Sequence, residues 1–326
     1  MLYLKFTLIY FFLLFLTVVI SKKMGFYDIP NKRKIHNTKI FNTGGVIIFL
    51  FYLAVISLTE LNYNIELIIS IGFLIFVVGF VDDRMDLIPS IKILFIILAS
   101  ACLIFNGLII ESLGTYELIG VLNLGKFKIP FLLLAAGLLI NSTNYIDGVD
   151  GLLLTFFISC LSYYIFLLED KQTIDLIKLL LIPVILNLFL NMLPSKSNIK
   201  FFTGNSGSLF IGFFISFLTI ELHNGFGIHP AYLIWPLWYP VYDFLFVSIN
   251  RILKKKSILL SDNSHLHHHI FNYFNKSHFK TTMLFAFSNI VIIYLSFQIS
   301  NYSKILSLFT FILGFLLYFT ARYKFR

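Results

Sequence analysis

Residues 65–84 read IELIISIGFLIFVVGFVDDR, a long apolar stretch that ends in two aspartates and an arginine. A helix needs roughly 17–25 mostly apolar residues to cross a bilayer, so the part that ends at Val81 predicts a membrane span. A helix is the expected form, because each unpaired backbone group in hydrocarbon costs several kcal/mol. Asp82 and Asp83 follow at the end of the span, where ionisable side chains indicate a functional site.

Similar apolar stretches occupy most of the chain. The 326 residues are 58% hydrophobic and 13% charged, whereas soluble domains have about 25% charged residues. We therefore predict an all-α polytopic membrane protein, a single domain over residues 1–326, with about eleven transmembrane helices in a lipid bilayer. The predicted spans are residues 1–20, 44–59, 65–81, 88–110, 129–144, 152–168, 174–193, 208–222, 230–250, 281–299 and 303–321.

The lysines and arginines indicate an orientation for these spans. If all eleven cross the bilayer, 19 of the 25 fall on one side and the other 6 on the opposite side. Positive charge is enriched on the cytoplasmic side, so we predict an outer N-terminus and a cytoplasmic C-terminus. The net charge of +9 then reflects this orientation, and we expect no binding to nucleic acid. The one long outer loop, residues 111–128, has room for a small hairpin.

The first predicted cytoplasmic loop combines basic residues with glycines. It contains Lys32-Arg33-Lys34-Ile35-His36 and then Thr43-Gly44-Gly45 at the start of the second span. Basic residues here satisfy the positive-inside rule or touch anionic lipid, which is the simpler interpretation. The glycines add a second interpretation, because they let a ligand approach the backbone closely.

Two further cytoplasmic segments are rich in carboxylates and amides. Asp82 and Asp83 can hold Mg²⁺ through oxygen ligands, or one can accept a proton if the other raises its pKa. The plain alternative is an acidic helix end that faces water. Asn141, Asn144 and Asp147 are spaced by three, which places them on one face of a helix. A simple turn would need fewer hydrogen-bonding groups, so we interpret this second segment as a binding site.

Glycines and histidines mark the last two motifs. Residues 202–208 read FTGNSGS, where glycine-rich backbone ahead of a helix is a natural phosphate cradle, although the same residues also make a good turn. Residues 262–269 read DNSHLHHH. These histidines can bind zinc, but no cysteine or acidic partner has the spacing of a zinc site. Imidazoles that face a diphosphate fit better, and a merely solvated loop is the remaining alternative.

In this order, the motifs resemble those of the polyprenyl-phosphate N-acetylhexosamine-1-phosphate transferases. The resemblance runs from about Lys32 to His269 and includes Asp-Asp-Arg, Asn-x-x-Asn-x-x-Asp-Gly-x-Asp-Gly-Leu, Phe-x-Gly-x-x-Gly-Ser and Asp-x-x-His-Leu-His-His. It implies that UDP-N-acetylhexosamine donates a sugar 1-phosphate to undecaprenyl phosphate, with Mg²⁺ or Mn²⁺ as cofactor and UMP as product. The two substrates would meet at the cytoplasmic face of a bacterial inner membrane, where cations must neutralise their charge.

The resemblance also implies roles for individual residues, which we expect to converge around a shared diphosphate. It assigns catalysis to Asp82, Asp83 and Asp147, nucleotide-sugar binding to Thr43, Asn144, Asp150 and Phe202, phosphate binding to Lys92, His265, His267 and His268, and metal binding to Asn205, Asp82 and Asp83.

One position departs from the family pattern. Where Asn205 follows Gly204, the family normally has an aspartate that is its main metal ligand. An amide oxygen can still bind Mg²⁺ but contributes no charge, so we expect weaker or rearranged metal binding in a working enzyme. An inactive relative is the alternative interpretation.

Two other functions stay as alternatives. The transferase that builds the first peptidoglycan lipid, from a muramoyl-pentapeptide donor, resembles this chain in its aspartates, but its histidine loop usually differs. The sequence His265-Leu266-His267-His268 favours the branch that starts O-antigen, teichoic acid or related glycans. A transporter would place charges and broken helices near the bilayer midplane, in repeats, whereas the acids here cluster at span ends. The identity of the N-acetylhexosamine and the choice between one-step and two-step transfer stay open.

Overall fold

A computed structural model of the chain describes residues 2–29, 38–59, 63–258 and 264–324, with the backbone alone for residues 63–68. Two groups singled out in the sequence lie outside the described residues. They are the basic cluster Lys32-Arg33-Lys34-Ile35-His36 and the first residues of the histidine motif, Asp262 and Asn263.

Thirteen α-helices form the described part of the chain. They are α1 (Leu2–Met24), α2 (Gly44–Leu58), α3 (Tyr63–Met85), α4 (Pro89–Phe105), α5 (Lys128–Ile146), α6 (Leu152–Leu167), α7 (Lys171–Asn191), α8 (Gly204–Asn224), α9 (Pro230–Leu233), α10 (Trp238–Leu253), α11 (Leu266–Tyr273), α12 (His278–Tyr302) and α13 (Lys304–Lys324). Two 3₁₀ helices, Gly125–Phe127 and Trp235–Leu237, precede α5 and α10.

Each predicted span overlaps a helix of at least 15 residues. Within the residues that the structure describes, six helical stretches are long and apolar enough to cross a membrane, namely those of α1, α5, α7, α8, α12 and α13. α2, α4 and α6 are shorter but also apolar. The prediction of a helical, multi-pass membrane protein is therefore confirmed at this coarser level.

Two predicted spans have different boundaries in the structure. The span expected at 88–110 ends at Phe105 and is followed by a turn at Asn106 and Gly107. The span expected at 230–250 is interrupted, because α9 gives way to a 3₁₀ turn before α10 begins at Trp238. Pro236 lies in this turn, and proline lacks the N–H that would continue a helix.

Two small antiparallel hairpins complete the fold. The hairpin predicted in the long outer loop is confirmed as β3 (Ser112–Tyr116) paired with β4 (Gly120–Asn123). The sequence did not predict the other pair of strands, β1 (Tyr27–Asp28) with β2 (Ile40–Phe41).

Helix α8 is the centre of the bundle. In its apolar window 83% of the residues are buried inside the protein, against 6% for the peripheral α13. It packs mainly against α3, α5 and α2. The contact with α2 requires glycine, because a Cβ on Gly45 would lie only 2.2 Å from the backbone nitrogen of Gly207. This close approach places the N-terminus of α8 beside the ends of α2 and α3.

The segment that leads into α8 is held against β2. The backbone N–H of Phe202 donates to the carbonyl of Phe41 at 2.8 Å, and the N–H of Gly44 donates to the carbonyl of Phe202 at 2.9 Å. The rings of Phe41 and Phe201 stack with centroids 5.0 Å apart. These contacts fix the start of α8 relative to the first loop.

Candidate active site

The carboxylate of Asp83 caps the N-terminus of α8. Its Oδ1 accepts the backbone N–H of Asn205 at 2.7 Å, and its Oδ2 accepts that of Ser206 at 3.1 Å. Oδ1 also accepts a hydrogen bond from the side-chain amide of Asn42 at 3.0 Å. The first N–H groups of a helix lack partners within the helix and carry partial positive charge, so these bonds favour the charged carboxylate. Burial outweighs them and raises the pKa of Asp83 to about 6. The contact joins the ends of α3 and α8 and brings Asp83 beside Asn205.

These bonds change the interpretation of the glycine motif. The sequence suggested that its backbone N–H groups cradle a phosphate, but the N–H groups of Asn205 and Ser206 already donate to Asp83. Gly204 instead makes the turn into α8 with φ of +73°, and a Cβ there would lie 2.6 Å from Asn42 Oδ1. The motif therefore shapes a tight helix start, and the cap leaves these two amides unavailable to a phosphate.

Asp82 faces a different neighbour from Asp83. Its Oδ2 lies 2.5 Å from Nζ of Lys92 in the first turn of α4, and its Oδ1 accepts the backbone N–H of Leu87 at 2.8 Å. Adjacent residues of an α-helix point in directions about 100° apart, which explains the divergence. Asp82 is buried and Lys92 is one-quarter exposed, so this ion pair is shielded from water on one side. Lys92 is thereby held at the edge of the site.

Asn144 links α5 to the start of α8. Its side-chain amide donates to Asn205 Oδ1 and to Ser208 Oγ, both at 2.8 Å. Asn141, which shares the spacing, instead donates back to the carbonyl of Gly137 within its own helix. Of these two asparagines, only Asn144 therefore contacts another motif, the start of α8.

The donor set at the junction of α3 and α8 fits a weakly held divalent cation. Asp83 supplies a carboxylate and Asn205 an amide oxygen, which are the hard oxygen ligands that Mg²⁺ prefers. In the described part of the chain, no three His, Cys, Asp or Glu side chains are grouped closely enough to hold a metal alone. Mg²⁺ commonly keeps several waters and binds one or two carboxylates together with substrate phosphates. Asp82 is turned to Lys92, so its predicted metal role stays a prediction.

Asp147 lies just past the end of α5, outside the helix that was expected to carry it. Burial in the site, followed by the charges of Asp83 and Asp150, raises the pKa of the Asp147 carboxyl well above its usual range. Like charges held close together favour the protonated form of one of them. A bound cation would relieve the same repulsion.

Asp150 is held by a lysine that the sequence did not single out. Its Oδ2 lies 2.5 Å from Nζ of Lys200, whose side chain is 3% exposed. The backbone N–H of Asp150 donates to Nδ1 of His278 at 3.0 Å, and its carbonyl accepts the hydroxyl of Thr282 at 2.7 Å. The loop after α5 is therefore fastened to α12 and to the segment before α8.

The two other residues predicted to bind a nucleotide sugar differ in exposure. Phe202 is partly exposed, and Nζ of Lys200 lies 5.7 Å from the centre of its ring. Thr43 is 1% exposed, and its hydroxyl is 3.2 Å from that of Ser21. The ring of Phe202 is thus accessible to a ligand, whereas the side chain of Thr43 faces the protein interior.

His265 belongs to a buried polar cluster formed by three helices. Its Nδ1 lies 2.7 Å from Oδ2 of Asp243 in α10. Oδ1 of Asp243 accepts the hydroxyl of Tyr318 at 2.7 Å and the backbone N–H of Leu266 at 3.0 Å. Arg322 donates to the carbonyl of Ser264 at 2.6 Å. The last helix, α13, therefore helps to fix the start of the histidine segment, residues 264–269.

His267 points Nε2 of its ring toward the loop that runs from Asp147 to Asp150. Its Nδ1 is 2.8 Å from the hydroxyl of Tyr239, which also accepts the backbone N–H of His267. Where the hydroxyl of Tyr239 donates to Nδ1, the ring proton of His267 lies on Nε2. Nε2 is buried and has no hydrogen-bond partner among the described residues. Burial, with a smaller effect of the neighbouring His268, lowers the pKa of His267 well below its usual range, which favours the neutral ring.

The histidine segment meets the loop between Asp147 and Asp150. A Cβ on Gly148 would lie 3.1 Å from Nε2 of His267 and 2.8 Å from Cε1 of His268. The two imidazole rings are themselves 4.2 Å apart. Together with the contacts of Asn144 and Asp83, this brings the last three sequence motifs and the aspartate pair into one connected region.

Several residues of this region were missed by reasoning from the sequence. Asp243 carried the clearest signal, because an aspartate within a predicted span is costly unless it is paired. Asn42, Lys200, Tyr239 and Tyr318 gave no signal, since their partners are distant in sequence.

Comparison with known proteins gives consistent similarities. The family model described as "Glycosyl transferase family 4" matches residues 65–223. The chain is 29% identical over 258 residues to a Bacillus subtilis protein named "Probable undecaprenyl-phosphate N-acetylglucosaminyl 1-phosphate transferase", covering 77% of this chain and 71% of the relative. Proteins named "Undecaprenyl-phosphate alpha-N-acetylglucosaminyl 1-phosphate transferase" are similar too. The one from Escherichia coli K12 is 29% identical (78% and 71% covered), and that from Yersinia pestis is 30% identical (80% and 75% covered).

Proposed function

The chain belongs to glycosyl transferase family 4, and from this premise we propose that it transfers an N-acetylhexosamine 1-phosphate from a UDP-sugar to undecaprenyl phosphate. The relatives' names supply the acceptor lipid and the sugar phosphate. The released product is UMP, and the lipid-linked sugar starts a cell-surface glycan of the O-antigen or teichoic-acid type.

One structural observation supports this function above the others. Asn205 accepts a hydrogen bond from Asn144 through its side chain and donates one to Asp83 through its backbone. Motifs separated by more than 50 residues of chain therefore meet at the N-terminus of α8. A lone turn or a packing contact would not need three polar side chains from three helices at one point.

The reaction requires two anionic substrates to approach each other. An oxygen of the lipid phosphate forms a bond to the sugar-bearing phosphorus of the UDP-sugar, and the bond from that phosphorus to UMP breaks. Such transfers depend mainly on positioning and on neutralising charge. Lys92, at the edge of the site, supplies a cation for a phosphate. His267 supplies a neutral Nε2–H donor near Gly148.

A divalent cation, Mg²⁺ or Mn²⁺, is part of the proposal. Asp83 and Asn205 would hold it together with the substrate diphosphate, where it would neutralise the charge that develops on the phosphate oxygens. Asp147, whose pKa is raised, can keep a proton until that charge is compensated.

An apolar cavity supports a long lipid acceptor. The cavity has a volume of about 340 Å³ and lies between α5, the second half of α8 and the segment formed by α9 and the 3₁₀ turn before α10, with Leu113 of β3 also in its lining. Phe131, Leu139, Ile220 and Val241 are among its lining residues. An isoprenoid chain buries apolar surface there without leaving polar groups unpaired.

The orientation of the protein in the membrane follows the charge distribution. We propose eleven spans, an outer N-terminus and a cytoplasmic C-terminus in the bacterial inner membrane, with the site at the cytoplasmic surface. The 19 lysines and arginines on one predicted side, out of 25, support this arrangement.

The direct test is an assay for the lipid product. Purified protein in detergent is incubated with labelled UDP-N-acetylglucosamine and undecaprenyl phosphate, with and without Mg²⁺. Labelled lipid and released UMP are expected only with Mg²⁺. Parallel reactions with other UDP-N-acetylhexosamines and with the muramoyl-pentapeptide donor identify the sugar. Product formed only from the muramoyl donor would contradict the proposal, and formation in detergent excludes pure transport because no sealed compartment exists.

The variant Asn205→Asp tests the departure at the metal position. A carboxylate adds a charge to the ligand set, so the Mg²⁺ concentration that gives half-maximal activity is expected to fall about tenfold. The measurement is a Mg²⁺ titration of lipid product formation. If the natural protein is inert and only the Asn205→Asp variant turns over, the chain is an inactive relative.

Tyr318→Phe tests the influence of α13 on the histidine segment. The hydroxyl of Tyr318 donates to the buried carboxylate of Asp243, which in turn holds His265. Loss of a hydrogen bond to a buried charge is expected to lower kcat about tenfold with little change in KM for the UDP-sugar. Tyr323→Phe, on the exposed side of the same helix, is the matched control. Equal activities of the two variants would show that Tyr318 has no positioning role.

A further inference from the structure

Besides the apolar cavity, the protein has a polar cavity, which lies beside the candidate active site and is lined by lysines. It has a volume of about 390 Å³ and is bounded by the β1–β2 hairpin and the segment between α7 and α8. Lys22, Lys39, Lys196 and Lys200 line it, and none of the described residues lining it is acidic. Ammonium groups that face one cavity repel one another unless an anion neutralises them.

Three of these lysines have no partner among the residues that the structure describes. Lys200 is buried and pairs with Asp150, as described above. Lys22, Lys39 and Lys196 are exposed and form no ion pair or side-chain hydrogen bond among the described residues. The cavity therefore carries a positive charge that the described part of the protein does not compensate.

The position of the cavity indicates how deep in the membrane its ligand lies. Lys22 lies in the last turn of α1, one of the helices long and apolar enough to cross a membrane. Lys196 follows the end of α7, another such helix. Both lysines thus lie where a membrane-spanning helix ends, which is the depth of lipid headgroups. The hydroxyl of Thr38 donates to the carbonyl of Ser195 at 2.6 Å, which joins the two segments that line the cavity.

We propose that this cavity binds the phosphate headgroup of an anionic phospholipid, a site separate from that of the acceptor lipid. Basic pockets at the ends of membrane helices attract such headgroups. The volume is within the range of roughly 300–1,000 Å³ that is usual for small-molecule sites. Because Lys200 also holds Asp150, a bound headgroup would steady the loop that carries Asp150. This proposal does not depend on the proposed enzymatic activity.

The test measures lipid binding directly. The purified full-length protein is placed in phosphatidylcholine nanodiscs that contain fluorescent phosphatidylglycerol, or is analysed by native mass spectrometry with the same lipid. The variant Lys22→Gln/Lys39→Gln/Lys196→Gln is expected to bind phosphatidylglycerol about a hundredfold more weakly than the natural protein. Lys200 is left unchanged because it is paired with Asp150.

A matched variant controls for the loss of net charge. Lys23→Gln/Lys255→Gln/Lys256→Gln removes three exposed lysines that do not line the cavity, and its affinity is expected to stay within about twofold. Equal weakening in both triple variants would overturn the proposal, because binding would then reflect overall charge. Displacement of phosphatidylglycerol by inorganic phosphate or UMP at equal concentration would also overturn it and indicate a soluble anion. Circular dichroism of each variant verifies that the helices are intact.

Discussion

Asp83→Asn is expected to reduce formation of the lipid product on the order of a thousandfold, the effect of removing a preorganised charge from a phosphoryl-transfer site. The carboxylate accepts three N–H groups, from Asn205, Ser206 and Asn42. An amide at this position offers one oxygen, and its NH₂ group would face N–H donors. The variant therefore loses both the negative charge at the proposed cation site and the cap of α8. Initial rates at saturating UDP-sugar and several Mg²⁺ concentrations give the measurement.

A control must separate chemistry from helix capping. Asp86→Asn removes an exposed carboxylate just after the same helix and should leave the rate within about twofold. The thermal midpoint of Asp83→Asn, measured in the same detergent, reports the loss of the cap, which typically costs about 1 kcal/mol. A rate above one-tenth of the natural value, with a lowered midpoint, would mean that Asp83 is only structural.

His267→Asn is expected to lower kcat about a hundredfold, the typical effect of removing one hydrogen-bond donor from a site that stabilises developing charge. The reason is geometric, since Nε2 of His267 is buried and has no partner among the described residues. Asparagine keeps a polar atom near the position of Nδ1, which contacts Tyr239, but has none at the position of Nε2. Glutamine reaches the position of Nε2 instead.

The comparison of the two variants decides the role of His267. If Nε2 serves a substrate phosphate, His267→Gln retains more activity than His267→Asn. The opposite order would show that the contact with Tyr239 is what matters, and His267 would then be a structural residue. His269→Asn, an exposed position two residues away, controls for changes in the histidine segment as a whole and is expected to stay near the natural rate.

The positions of the helices were predictable to a large extent. Apolar length fixes where a helix can form in a membrane, and each expected span overlaps a helix of at least 15 residues. The boundaries were less predictable near Pro236, because a short 3₁₀ turn is as apolar as the helix on either side. The number of spans that cross the bilayer and the orientation stay predictions, supported by hydropathy and the distribution of charge.

The site was predictable as a set of residues but not as a geometry. Asp82 and Asp83 look equivalent in the sequence, yet the first pairs with Lys92 and the second caps α8. Asn141 and Asn144 share a helix spacing, but only Asn144 contacts the start of α8. The roles assigned to these residues stay predictions until the variants are assayed.

The sequence by itself determined that this is a helical membrane protein of glycosyl transferase family 4 and which segments carry its polar motifs. Composition and the order of motifs suffice for this, because both are read along the chain. Only the tertiary structure decided which side chains share partners: Asp83 with the N-terminus of α8, Asp150 with Lys200, and His265 with Asp243. Such contacts depend on how helices distant in sequence are oriented, and glycine-mediated packing around α8 sets that orientation.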